Sequence, residues 1–245
     1  GSSVVGDGDS GAVVWTLESG SMEGSVAGRL ENVVVRGDNP EAKSGINLEP
    51  GGEIDGFCWP EGGNRDEDRA LYHPDGGERA FLVNSAWGGC GNNGAYIDKA
   101  PMTVENCVGL NNNVANLRVG HRDGSDTGAT TYVRNSLFGA TSSVRYTGEI
   151  DSENAIGLRV RHPCDLVVEN CWFVYTEGAT DADAMLEFHD GAAGMSATFR
   201  NCHFHNDSDI DMINDQAGAD AEFIDCTVSG SGPTDVPGAT EQSKT

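Results

Sequence analysis

The sequence predicts an all-β fold, a single-stranded parallel β-helix of about six to seven coils with three short strands per coil. Three observations carry this. A phrase built around one Asn recurs, as in "MTVENCVG", "LVVENCWF" and "ATFRNCHF". Its members fall at Asn84, Asn106, Asn135, Asn170, Asn201 and, with Asp substituted, Asp225, at intervals of 22, 29, 35, 31 and 24 residues. The flanks alternate, and no long segment shows a 3.6-residue period with helix caps.

The first strand of each coil ends two residues before the Asn on an apolar side chain: Leu82, Val104, Val133, Val168, Phe199 and Phe223. The second begins after it, with a small residue (Ser85, Cys107, Ser136, Cys171, Cys202, Cys226) and then, two positions on, Trp87, Gly109, Phe138, Phe173, Phe204 and Val228. Both sets point inward if the strands meet at a bend. Such a bend needs the left-handed region, which Asn enters at lower cost than most residues, so the Asn column reads as a structural ladder, stacked and buried. The third strand is legible in "NLRVG" (116–120), "GLRVR" (157–161), "MLEFHD" (185–190) and "IDMIND" (210–215).

Asn32 in "RLENVVV" looks like an earlier member of the series. The chain therefore divides into an N-terminal segment and first irregular coil (1–28), the repeat (29–230) with an irregular insert at 51–77, and a flexible C-terminal tail (231–245) poor in apolar residues. Inward thiols one ladder step apart sit too far from one another for disulfides, and no Cys-x-x-Cys pair suggests zinc. Of the cysteines outside the column, Cys58 and Cys90 are the expected loop disulfide.

Composition narrows the partners. Thirty-nine acidic against 15 basic side chains give a net charge of −24, which argues against nucleic acid. Such self-repulsion is tolerable where molar salt screens charges to within ~3 Å, so the chain reads as halophilic, requiring high salt for stability. No run approaches the ~20 apolar residues of a membrane span.

These residues resemble the right-handed parallel β-helix superfamily, in its pectate-lyase-like and NosD-like branch. "GCGNNGAYI" and "GLNNNVANLRVG" are similar to phrases of haloarchaeal members. The resemblance implies right-handed winding and an extracellular, cell-surface or virion location. It leaves function open, since the superfamily holds polysaccharide lyases, glycoside hydrolases, epimerases, viral tail spikes and adhesins.

A lyase needs a base, often an Arg on an exposed strand, and acids that hold calcium. The outward positions of the third strand supply Arg118, Arg159, Glu187 and Asp211 in one expected column, with Arg161 and His189 farther along and His121 and Asp190 in the turns. The bland alternative is a mixed-charge solvated face. The hydrolase signatures "NTD", "DD" and "GHG" are absent. Asp181, Asp183, Asp207 and Asp209 are oxygen ligands of the type that hold Ca2+ or Mg2+, although their spacing matches no loop signature. Trp15, Trp59, Trp172 and Tyr175 are the candidate aromatic platforms, and Trp172, which should point outward, leads them as a ligand or subunit contact. The leading expectation is a non-enzymatic surface or virion component contacting cell-surface glycans or other protein subunits, a homotrimeric spike among them. The alternative is a secreted polysaccharide lyase with Arg159 or Arg118 as base.

Overall fold

The computed structural model describes residues 3–6, 13–16, 25–26, 29–36, 44–48, 51–59, 69–72, 77–97, 99–122, 129–141, 155–179 and 183–242. They begin with β1 (Ser3–Gly6), β2 (Val13–Thr16), β3 (Ser25–Val26), β4 (Arg29–Arg36), β5 (Ser44–Leu48), β6 (Glu53–Trp59) and β7 (Arg69–Tyr72). Strands then come in threes: β8 (Ala80–Val83), β9 (Ala86–Gly88) and β10 (Ala95–Ile97); β11 (Met102–Glu105), β12 (Val108–Leu110) and β13 (Ala115–Val119). Next are β14 (Thr130–Arg134), β15 (Leu137–Ala140) and β16 (Ile156–Val160), then β17 (Asp165–Glu169), β18 (Trp172–Tyr175) and β19 (Ala184–Phe188). The last are β20 (Ser196–Arg200), β21 (His203–Asn206) and β22 (Asp211–Asp215), followed by β23 (Asp220–Ile224), β24 (Thr227–Gly230) and β25 (Thr240–Glu241). Helix is limited, among the described residues, to the 3-10 turn Asp190–Ala192.

The architecture is all-β and solenoid-like. Third strands stack in a parallel eight-stranded sheet, β3-β5-β7-β10-β13-β16-β19-β22, while first and second strands share the other sheet. Its ladders are parallel apart from the antiparallel β1–β2 pair at the N-terminal end.

Backbone geometry explains the Asn repeat. Asn32, Asn84, Asn106, Asn135, Asn170, Asn201 and Asp225 all have φ between 49° and 55°. The ladder differs from expectation in being exposed rather than buried. A left-handed bend turns its side chain away from the core, which the flanking alternation fills instead. Asn106 Nδ2 donates to Asn84 Oδ1 (3.1 Å) and Asn170 Nδ2 to Asn135 Oδ1 (3.2 Å), but Asn135 turns to Glu105 Oε1 (3.4 Å), so the chain of amides is interrupted.

The segment expected as an irregular insert contributes β6 and β7. Register places Glu31 beside Asp55 and Val33 beside Phe57, so Gly56, with φ 78°, occupies the Asn position between Asn32 and Asn84. Glycine hid this member of the repeat because it meets the same backbone demand with no side chain to recognise. The tail also departs from expectation as far as residue 242. Val236 is buried, Thr240 N–H donates to Cys226 O (2.9 Å) and Gln242 N–H to Val228 O (2.9 Å), which adds β25 beside β24.

The core is a file of aromatic rings. Phe173 stacks on Phe204 with centroids 5.0 Å apart and Phe199 on Phe223 at 4.8 Å, offset-stacking distances. Trp87 satisfies its indole N–H on Asn116 O at 2.7 Å. All seven cysteines are free, Cys58 and Cys90 included, which corrects the expected disulfide. Cys107, Cys171, Cys202 and Cys226 donate instead to carbonyls of the preceding coil at 3.5–3.6 Å. Burial pushes the Cys107 thiol up to about 12, so it remains a protonated packing group.

Candidate functional site

The outward face of the third-strand sheet is built by register. Tyr72 pairs with Tyr96, Tyr96 with Arg118, Arg118 with Arg159, and Arg159 with Glu187. Three of the four residues expected in the column therefore stand on consecutive rungs. Asp211 does not: it pairs with Ala184, and Asn214 takes the rung beside Glu187. The ladder joins Leu186 to Ile213, so the outward phase of β22 falls three residues later than the sequence alignment placed it.

Arg159 and Glu187 form a buried ion pair in which Nη2 donates to Oε1 at 3.2 Å and Nε lies 2.9 Å from Oε2 without a hydrogen bond, the side chains being 11% and 4% exposed. Burial raises the Glu187 carboxyl and lowers the Arg159 guanidinium, each shift opposed by the charge of the partner. Asp183 lies within the field of Arg159, its carboxyl raised by burial.

Beside the pair lies a strip of aromatic rings and guanidinium groups. The Arg118 guanidinium sits 3.9 Å over the centroid of Tyr96, whose ring also meets Arg69 at 4.9 Å and Tyr72 at 5.2 Å. These are cation–π distances. Arg161 and His189 continue the face past the strand ends, with Arg161 Nη1 against His189 Nε2 and His189 Nδ1 against the exposed Asp190. Burial, then Arg161 and Arg159, hold the His189 imidazole below its ordinary value and hence neutral.

Four of the chain's twelve arginines (Arg69, Arg118, Arg159, Arg161) thus gather on one face of a protein of net charge −24. Three stand outside the buried pair. Chemically, guanidinium groups set against aromatic rings offer positive charge beside flat apolar surface.

The other expected residues lie elsewhere. His121 is buried, its Nε2 3.1 Å from Thr131 Oγ1, and does not reach the face. Tyr175 is fully buried and donates to Ala155 O at 2.6 Å, so it is no platform. Trp172 points outward and is 52% exposed, but on the other sheet, against His203. Asp181 lies outside the described residues; Asp183, Asp207 and Asp209 do not converge, and among the described residues no cluster of three or more His, Cys, Asp or Glu side chains is arranged to hold a metal ion. No described helix is long and apolar enough to cross a membrane.

Tyr72, Tyr96 and Arg69 were missed in the sequence. Strand β10 has only three residues, too few to show alternation, and Arg69 stood in the presumed insert. Placing "AYI" over "LRV", as the ladder does, was the available signal.

Comparison with known proteins finds no family model, no curated protein and no solved structure that matches the chain.

Proposed function

We propose that this protein is a right-handed β-helix of six to seven coils whose third-strand face holds an acidic glycan without cleaving it, as part of a halophilic cell surface or virion. The observation that carries the reading is the Tyr72–Tyr96 ring pair with the Arg118 and Arg69 guanidinium groups 3.9 and 4.9 Å from the Tyr96 centroid. An aromatic face supports a sugar ring, and neighbouring guanidinium groups take its carboxylate or sulfate through charge-assisted bonds. In molar salt, long-range attraction is screened, whereas direct contacts persist.

Binding is favoured over β-elimination by the state of Arg159. Burial lowers the Arg159 pKa, but a base must also reach its substrate, and this guanidinium is buried against Glu187, with Nη2 donating to Oε1 at 3.2 Å. Retention on immobilised uronate-bearing or sulfated polysaccharide in molar KCl, measured with and without calcium, tests the reading. Retention on the acidic resins alone is expected, with no unsaturated ends released. Arg118→Gln should weaken it by about tenfold, in line with a lost charged hydrogen bond of ~1.5 kcal/mol. Equal retention on neutral resin, or chain cleavage, refutes it.

A further inference from the structure

The sheet that carries Trp172 holds a second constellation, independent of the glycan face. β21 and β24 pair with His203 beside Thr227 and His205 beside Ser229, and alternation turns all four outward. Ser229 Oγ lies 2.9 Å from His205 Nδ1 and 3.1 Å from His203 Nε2. His205 Nε2 is 2.9 Å from Asp207 Oδ2, and His203 Nδ1 is 2.7 Å from Thr227 Oγ1.

One placement of protons satisfies every contact. The Thr227 hydroxyl donates to His203 Nδ1, His203 Nε2–H donates to Ser229 Oγ, the Ser229 hydroxyl donates to His205 Nδ1, and His205 Nε2–H donates to Asp207. The carboxylate is fixed from its other side, where Oδ1 accepts from Ser231 N–H at 2.9 Å and from the Ser231 hydroxyl at 3.1 Å. Those bonds first, and His205 after them, hold the Asp207 carboxyl below the ordinary range.

The surroundings are stiff. Buried Asn206 donates to Ile210 O (3.0 Å) and Pro233 O (3.1 Å) and accepts from Ser208, pinning the bend that carries Asp207. Gly230 follows Ser229 with φ 117°, and a Cβ there would meet Asn206 O at 1.9 Å, so only glycine lets β24 approach this closely.

We propose that Ser229, His205 and Asp207 form a hydrolytic triad for neutral carboxylic esters, with His203 Nε2–H beside the developing oxyanion and Trp172 as the platform for the substrate. Nucleophile, base and orienting carboxylate stand in hydrogen-bond sequence, which is how such sites are recognised regardless of fold. Neutrality follows from the preceding rungs of the same two rows. Outward positions Ala86, Val108, Leu137 and Trp172, with Leu110 and Val174 beside them, carry no charge. The Trp172 ring lies 4.4 Å from that of His203.

In the reaction, Ser229 Oγ bonds to the ester carbonyl carbon as its proton passes to His205 Nδ1. Collapse of the adduct breaks the carbon–oxygen bond to the alcohol, which leaves with that proton. Water then attacks the acyl-serine, giving its proton to the same nitrogen. The acid departs as Oγ takes the proton back.

The test is labelling of the whole chain in molar KCl with a fluorophosphonate probe, beside hydrolysis of p-nitrophenyl acetate and butyrate. Ser229 should carry the phosphonyl group in peptide mass mapping. Ser229→Ala, shown folded by circular dichroism, should lose labelling and at least ~100-fold in kcat/KM. Trp172→Ala should raise KM more than it lowers kcat. An unmodified Ser229 under conditions that label a salt-tolerant serine hydrolase, or ester turnover unchanged in Ser229→Ala, overturns the proposal and leaves the network a hydrogen-bonded clasp between coils.

Discussion

Replacing Glu187 by Gln asks whether Arg159 is a structural or a functional guanidinium. At 2.9 Å and an effective dielectric of 20, the Coulomb attraction in the pair is about 6 kcal/mol. Much of this only offsets the cost of burying two ions, so the pair as a whole contributes little. Breaking it is another matter. Gln keeps the shape and leaves no cavity, but the guanidinium, only 11% exposed, then lacks its counter-charge. A loss of about 3 to 5 kcal/mol is expected, toward the lower end because the Gln carbonyl still accepts one hydrogen bond. The assay is urea unfolding at fixed molar KCl, followed by tryptophan fluorescence. The double variant Arg159→Met with Glu187→Leu should recover to within ~1 kcal/mol of the parent, since no buried charge remains. A cost below ~0.5 kcal/mol for Glu187→Gln would refute the argument. It would mean water reaches Arg159, and a base role in polysaccharide elimination would regain its footing.

Three further outcomes follow from the same geometry. Asn170→Ala should cost about 1 to 2 kcal/mol in urea unfolding because its φ is 54°, while Asn170→Gly should lie closer to wild type. Phe173→Ala, which empties the middle of the ring file, should cost about 3 to 5 kcal/mol and broaden the aromatic resonances of Phe138 and Phe204. Asp55 has its carboxyl lowered by the Asn84 amide and then by Arg29, so its folded value lies below its unfolded one. The stability lost in Asp55→Asn should therefore be fully expressed above the unfolded carboxylate range and vanish as pH falls through the folded value, as read from paired denaturation curves.

The repeat was readable because each turn poses the same backbone problem and Asn is a recognisable solution. Gly56 solves it equally well and was invisible for that reason. The arginine column was legible where the third strand runs five residues with clear alternation, in β13, β16 and β19, and failed at both ends. Asp211 slipped by three positions because "IDMIND" alternates ambiguously, and Tyr72 and Tyr96 lie on strands of four and three residues. Ser229 drew no notice for a different reason. It sits beside His205 only because coils stack, and local pattern carries no information about which hydroxyl faces which imidazole 24 residues away.

The two faces divide the chemistry of the chain in a way its composition conceals. With 39 acidic residues, a random outward position is far more often acidic than basic, yet the third-strand face collects arginines and the second-strand rows from β9 to β24 carry no formal charge apart from their histidines. Parallel stacking makes such segregation cheap to encode. Once the register is set, each coil adds one outward residue per row, about 4.8 Å from the last, so a strip of uniform character needs only one suitable residue per coil. The same spacing is short enough for side chains on neighbouring rungs to hydrogen-bond, which is what joins Thr227 to His203 and Ser229 to His205. A glycan lying along one sheet and an ester presented to the other are thus compatible demands on a single ladder, because neither row constrains the side chains of the other.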